Sequence, residues 1–191
     1  MIPETPLCTL AIKYGTDKAP QLRTYPVTEG MALPSHAYTP YYHELFKDRR
    51  ESVQRVLEIG IYEWGGLHMW RDYFPNAMIF GFDNQREFLH DEERIKTFYC
   101  DASDEKSLLE AIVKIGGKAD LIVDDASHVP ADQIRAANVL VPYVASGGFY
   151  IIEDVGHPRI VSMGMDYSHE LVEFRENEMK NDDDRLVVIR R

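Results

Sequence analysis

The sequence predicts an α/β fold: a doubly wound, mostly parallel sheet with one antiparallel edge strand near the C-terminus. Three observations predict it. Short strand-like runs alternate with stretches of helical periodicity, the pattern of successive βαβ units. The runs LEIG, LIVDD and FYIIED are continuously apolar up to their acids, as expected of strands covered on both faces. Glycine and proline stand at the junctions between the two kinds of run.

Residues 19–35, rich in Pro, Gly and Thr, read as loop. Residues 36–50 become helical after Pro40, which suits a first helical turn. Strands are then expected at 53–60, 76–83, 97–101, 120–125 and 147–155. Helices are expected between them at 65–74, 85–96, 103–117 and 130–144. Ser103 is the expected cap of the third of these and Gly116-Gly117 its end, while Pro130 opens the fourth. A helical stretch near 167–180 and a last strand at 184–191 complete the chain. Residues 1–50 read as a helical segment lying over the site, and 51–191 as the catalytic body, within one compact domain.

At 191 residues and 45% hydrophobic content, one domain can bury a sizeable core. The formal net charge of −11 disfavours nucleic acid and anionic membranes, since phosphate binding needs clustered Lys and Arg. No apolar run approaches the roughly 18–20 residues that span a bilayer, and the first residues carry no secretory pattern. Cys8 and Cys100 show neither a disulfide framework nor zinc-ligand spacing, so a reducing, cytoplasmic setting is expected.

In open α/β sheets, ligands bind beyond the carboxyl ends of the strands. Here those ends carry Glu58 to Gly60, Asp83, Asp101, Asp124-Asp125 and Glu153-Asp154. Glycines 60, 65 and 66 let a ligand approach the first turn closely, although the spacing is not the GxGxxG dinucleotide pattern. Asp83 ends the second strand where nucleotide sites place a carboxylate on ribose hydroxyls. Asp101 could accept a bond from an adenine amine. Three successive acids of this kind point to an adenosine site. DLIVDDASHVP raises a second question, since two carboxylates and an imidazole suit a metal or acid/base site better than a core strand.

The segment VLEIGIYEWGGLHMWRDYFPNAMIFGFD resembles the first motifs of class I S-adenosylmethionine-dependent methyltransferases, which have a Rossmann-like fold. YGTDK, HAYTPYYHELF, DLIVDDASH and IIEDV narrow the resemblance to the metal-dependent sugar O-methyltransferases of antibiotic biosynthesis, the mycinamicin and demethylmacrocin type. It covers about residues 10–155. The resemblance implies that Glu58 and Gly60 line the methionine end of the cofactor. It puts Asp83 on the ribose, and Asp101 with Ser103 at the adenine. It implies Mg²⁺ on Asp125, Glu153 and Asp154, and His128 as general base. Asp124, which points opposite to Asp125 in an extended strand, is grouped with the cofactor residues. Trp64 departs from the family's small-residue run and is expected to reshape the methionine pocket. The chain is also shorter than the larger members, which leaves the acceptor open.

The chemistry is consistent with that set. A sugar hydroxyl needs a base within hydrogen-bond reach, and a hard cation fixes neighbouring hydroxyls and acidifies them. Three carboxylates at one edge would repel strongly without a cation. His36, Tyr38, Tyr42, Thr16, Asp17 and Lys18 either cover the cofactor or pack as an amphipathic layer; both readings stand. The expected partner is a small hydroxylated acceptor, with a homo-oligomer possible. The alternatives are a catechol-like phenol as acceptor and an accessory protein of a methoxylation system. A nicotinamide-dependent reductase is a further rival, disfavoured by the missing GxGxxG.

Overall fold

A computed structural model describes residues 4–20, 23–24, 32–33, 36–174 and 183–191. The strands are β1 (Arg23–Thr24), β2 (Ala32–Leu33), β3 (Arg55–Ile59), β4 (Met78–Asp83), β5 (Ile95–Tyr99), β6 (Ala119–Asp124), β7 (Val144–Ile152), β8 (Glu170–Glu173) and β9 (Arg185–Arg190). The helices are α1 (Pro6–Tyr14), α2 (Tyr38–Phe46), α3 (Gly65–Tyr73), α4 (Glu105–Ile112), α5 (Pro130–Leu140) and α6 (Pro158–Gly164). Strands β1 and β2 form a small antiparallel pair inside the segment expected to be loop.

The main sheet has the order β5-β4-β3-β6-β7-β9-β8. Its first five strands are parallel, and β9 and β8 run antiparallel at one side. The chain leaves β3 toward β4 and β5, then returns to lay β6 on the other side of β3. The strand order therefore reverses between β3 and β6, the point where such sheets open a crevice.

Side chains alternate across the sheet with period two. Val56, Leu121, Val123 and Ile151 pack on one face beneath α1, α2 and α3, with Leu7, Tyr42, Leu67 and Trp70. Leu57, Ile59, Ile122 and Tyr150 pack on the other beneath α4, α5 and α6, with Leu108, Ala137 and Val161. Both faces are buried, which is why the central strands read as unbroken apolar runs. Among the described residues, no helix is long and apolar enough to cross a membrane. Cys8 and Cys100 are both free and buried.

Four elements differ from expectation. Residues 85–96 form only a 3-10 turn, Arg86–Phe88, before β5. Polar side chains there satisfy the backbone locally: Asp91 accepts from the Thr97 amide at 3.2 Å, and the Thr97 hydroxyl donates to the His90 carbonyl at 2.8 Å. Asp104, not Ser103, caps α4, accepting from the Lys106 amide. Helix α5 ends at Leu140 and tightens into a 3-10 turn at Val141–Tyr143, where Pro142 has no N–H to offer. In the tail, the helix lies at 158–164, and 170–173 is strand β8; β9 is antiparallel as expected but lies one strand in from the edge. Residues 175–180 of the expected tail helix lie outside the described residues.

Helix α1 is clasped to α3 by polar contacts at its C-terminal end. Tyr14 Oη and Lys13 Nζ both donate to Asp72 Oδ2, and Arg71 Nε donates to Oδ1 at 3.1 Å. Burial pushes the Asp72 carboxyl up, but these donors outweigh it and hold it at about 2. A carboxyl depressed in the folded state adds stability above its unfolded value, and that stability fades as pH falls through the folded one. Asp72→Asn should therefore lower stability by on the order of 1 kcal/mol at neutral pH. The gap to wild type, followed by urea melts, should close as the pH approaches about 2. A gap independent of pH would refute the clasp.

Candidate active site

A cleft of about 770 Å³ opens at the carboxyl ends of β3, β4, β6 and β7. Gly60, just past β3, sits at φ +95°, and a Cβ there would lie 2.1 Å from the Asp125 carbonyl oxygen. The turns after β3 and β6 thus cross at backbone contact, and only glycine permits it. Gly66, in the first turn of α3, faces the Glu58 carboxylate, where a Cβ would lie 2.3 Å from Oε2. Gly65 is as tightly placed, since a Cβ there would lie 2.8 Å from the Tyr14 carbonyl oxygen, so close packing requires all three glycines of the opening motif.

Asp83 is buried and serves the turn directly. Its Oδ2 accepts from the Ile61 amide and its Oδ1 from the Gln85 amide, each at 2.8 Å. Asp101 Oδ1 accepts from the hydroxyl and amide of Ser103, which together hold its pKa below the ordinary value. Both residues line the cleft. Glu58 also lines it, with Oε1 3.3 Å from Lys18 Nζ. Glu58 Oε2 is buried with no hydrogen-bond partner. Burial pushes this carboxyl up to about 7 against the pull of Lys18.

At the far end, Asp125, His128 and Asp154 converge. One ligand atom from each lies within 4.8 Å of the others. His128 Nε2 is 4.0 Å from both Asp125 Oδ1 and Asp154 Oδ2. His128 and Asp154 each take φ +54°, a left-handed conformation that is costly for residues with a Cβ. Tyr38 Oη donates to Asp154 Oδ1 at 2.7 Å, and His36, stacked on Tyr38, has Nδ1 3.5 Å from the same oxygen. Burial and the Asp125 charge push Asp154 up to about 6. Two carboxylates and an imidazole at this spacing, with one acid raised by crowding, fit a hard divalent cation that retains water or acceptor oxygens.

The structure thus brings Glu58, Gly60, Asp83, Asp101, Ser103, Asp125, His128 and Asp154 to one cleft. Three expectations need correction. Asp124 does not reach it: the side chain points to the opposite face, where Tyr150 Oη donates to Oδ2 at 2.8 Å. Glu153 is turned inward, with Oε1 accepting from Tyr42 Oη at 2.6 Å and Oε2 from Lys18 Nζ. Trp64 does not shape the pocket either. It is buried against α3, stacks on His90 at 3.6 Å and donates Nε1–H to the Phe88 carbonyl.

Lys18 is the residue that sequence reasoning left undecided. It is 2% exposed, and its ammonium contacts Glu58, Asp125 and Glu153. Burial opposes its charge, but those three acids push its pKa well above the ordinary value. The available signal was the excess of acids at the strand ends, which requires an internal cation.

No protein-family model matches the chain. It is 39% identical over 127 residues to mycinamicin VI 2''-O-methyltransferase of Micromonospora griseorubida, covering 63% of this chain and 32% of that protein. It is 37% identical over the same length to demethylmacrocin O-methyltransferase of Streptomyces fradiae, with the same coverage. The chain therefore spans about a third of these curated relatives. Among solved structures, the MycE methyltransferase of the mycinamycin pathway, in complex with Mg and SAH, superposes with a TM-score of 0.71 at 25% identity, over 99% of this chain and 55% of that one. A putative caffeoyl-CoA O-methyltransferase from Staphylococcus aureus shares the fold at 14% identity and a TM-score of 0.54, over 78% of this chain and 83% of that one. The chain has the class I methyltransferase fold and, by sequence, is similar to the sugar O-methyltransferases of antibiotic pathways.

Proposed function

We propose that this chain carries the catalytic unit of an S-adenosylmethionine- and Mg²⁺-dependent O-methyltransferase that acts on a hydroxyl of a sugar or polyhydroxylated natural product. One observation carries the reading: the acids that suit an adenosyl cofactor, Glu58, Asp83 and Asp101, share one cleft with the Asp125–His128–Asp154 cluster. The similarity to sugar O-methyltransferases supports the choice of acceptor.

When bound, the cofactor and the ion would supply an electrophilic methyl group and a positive charge over neighbouring acceptor oxygens. The chain's own residues do the rest. Asp83 would bind the ribose hydroxyls with lone pairs left over from its two amide bonds, and Asp101 with Ser103 would form the adenine edge. Glu58 would face the cationic end of the cofactor. Asp125 and Asp154 would hold the ion, with Tyr38 and His36 fixing Asp154. His128 Nε2 takes the proton from the acceptor hydroxyl, and the two carboxylates 4.0 Å away stabilise the resulting imidazolium. Holding these groups on fixed turns also limits the search for an in-line attack geometry.

Titration calorimetry with S-adenosylhomocysteine should show binding in the micromolar range, and NAD should give no heat. Binding of NAD in place of S-adenosylhomocysteine would overturn the reading.

A further inference from the structure

The chain passes from β6 to α5 through Ala126, Ser127, His128 and Val129, and the last three are exposed. Among the described residues, no hydrogen bond reaches the His128 imidazole, whose Nε2 stands 4.0 Å from two carboxylates. The backbone therefore aims the ring. That backbone lies in the left-handed region at φ +54°, which a residue with a Cβ adopts only when its surroundings impose it. The surroundings here are polar side chains. Val129, the N-cap of α5, makes no side-chain cap bond of its own. Its amide donates to Ser127 Oγ at 3.3 Å, across His128. The Ser127 hydroxyl donates in turn to Asp132 Oδ2 at 2.9 Å, and Arg135 Nη1 donates to Asp132 Oδ1 at 2.7 Å.

Asp132 is the third residue of α5, where an acid ordinarily reaches back to the N-cap amide and complements the positive end of the helix dipole. In this chain the Ser127 hydroxyl is interposed between the two. The extra link draws the loop closed around a single residue, His128, and ties both of its neighbours to the first turn of α5. Ser127 and Asp132 line the cleft together with His128, so the tie lies in the same wall as the imidazole. We propose that Ser127 and Asp132 are positioning residues for the general base. The Val129–Ser127–Asp132 relay, braced by Arg135, holds the His128 backbone left-handed and directs Nε2 toward Asp125 and Asp154. The inference rests on the reading of His128 as base given above.

Ser127→Ala removes the relay and leaves Asp125, His128 and Asp154 in place, while Ser127→Thr keeps the hydroxyl. NMR on the full chain needs no acceptor. The wild-type His128 amide should show an order parameter of about 0.85 and an HN–Hα coupling that fits a left-handed residue. In Ser127→Ala the order parameter should fall below about 0.6 and the coupling should move to an average over several conformations. Ser127→Thr should restore both. A His128 backbone as rigid and as left-handed in Ser127→Ala as in wild type overturns the proposal. The catalytic consequence is read with a macrolide glycoside bearing free sugar hydroxyls as acceptor. Ser127→Ala should lower turnover by about 10–100-fold, the effect of a base misplaced by about 1 Å. Its affinity for S-adenosylhomocysteine should stay within about twofold of wild type. In a His128→Ala background the same substitution should cost less than about twofold, since residues that act as one unit are not additive. A full loss in that background overturns the proposal. If His128→Ala lowers turnover and Ser127→Ala does not, the relay falls and the base stands. If His128→Ala itself leaves turnover unchanged, the base reading falls and takes the proposal with it.

Discussion

His128→Ala should lower turnover by about 10²–10⁴-fold, the usual contribution of a positioned base. The affinity for S-adenosylhomocysteine should stay within about twofold of wild type. Both expectations follow from where the residue sits. The imidazole lines the cleft, is 44% exposed, and lies 4.0 Å from the Asp125 and Asp154 carboxylates. It is held by its own backbone in a left-handed conformation at φ +54°, between the end of β6 and the proline that opens α5. Alanine there keeps that backbone and removes only the ring. Single-turnover kinetics on purified variant would isolate the chemical step. Turnover equal to wild type would end the assignment of His128 as base, and a parallel loss of cofactor affinity would make it a structural residue instead.

Chelation should have an effect at least as large. EDTA should reduce methyl transfer to background and Mg²⁺ should restore it. Asp154→Asn should raise the Mg²⁺ concentration needed for half-maximal activity by about 10–100-fold. Asn preserves the shape and the contact with Tyr38, so the change reads the lost charge. The physical ground is the crowding itself. Burial and the Asp125 charge already hold Asp154 at about 6, which means the cluster as folded carries less positive charge than its acids can use. Full activity in excess chelator would remove the metal from the mechanism and leave Asp125 and Asp154 as partners of the imidazolium.

Much of the cleft was legible because strand ends are positions a sequence can mark. A largely apolar run that ends on an acid marks the end of a buried parallel strand, and the fold places all such ends at one edge. Asp83, Asp101, Asp125 and Asp154 were found in that way. The helix expected at 85–96 failed because its apolar residues are too few for a buried stripe and its polar side chains bind the backbone locally. Strand β8 was missed because only pairing with β9 makes Glu170–Glu173 extended.

The sequence by itself determined the doubly wound sheet, the acidic edge and the two residue types that suit a cation and a base. Those depend on local periodicity and on short motifs, which a chain carries wherever it folds. Only the tertiary structure decided which acids face the cleft. Asp124 and Asp125 are neighbours in sequence, yet one lies under Tyr150 and the other opens to His128, because successive residues leave a strand on opposite sides. Glu153 and Asp154 differ for another reason. Lys18, 135 residues from Glu153 in the chain, places its ammonium beneath the sheet edge and draws Glu153 inward. An excess of acids announces that a buried cation is needed, but which lysine supplies it depends on how the N-terminal layer docks.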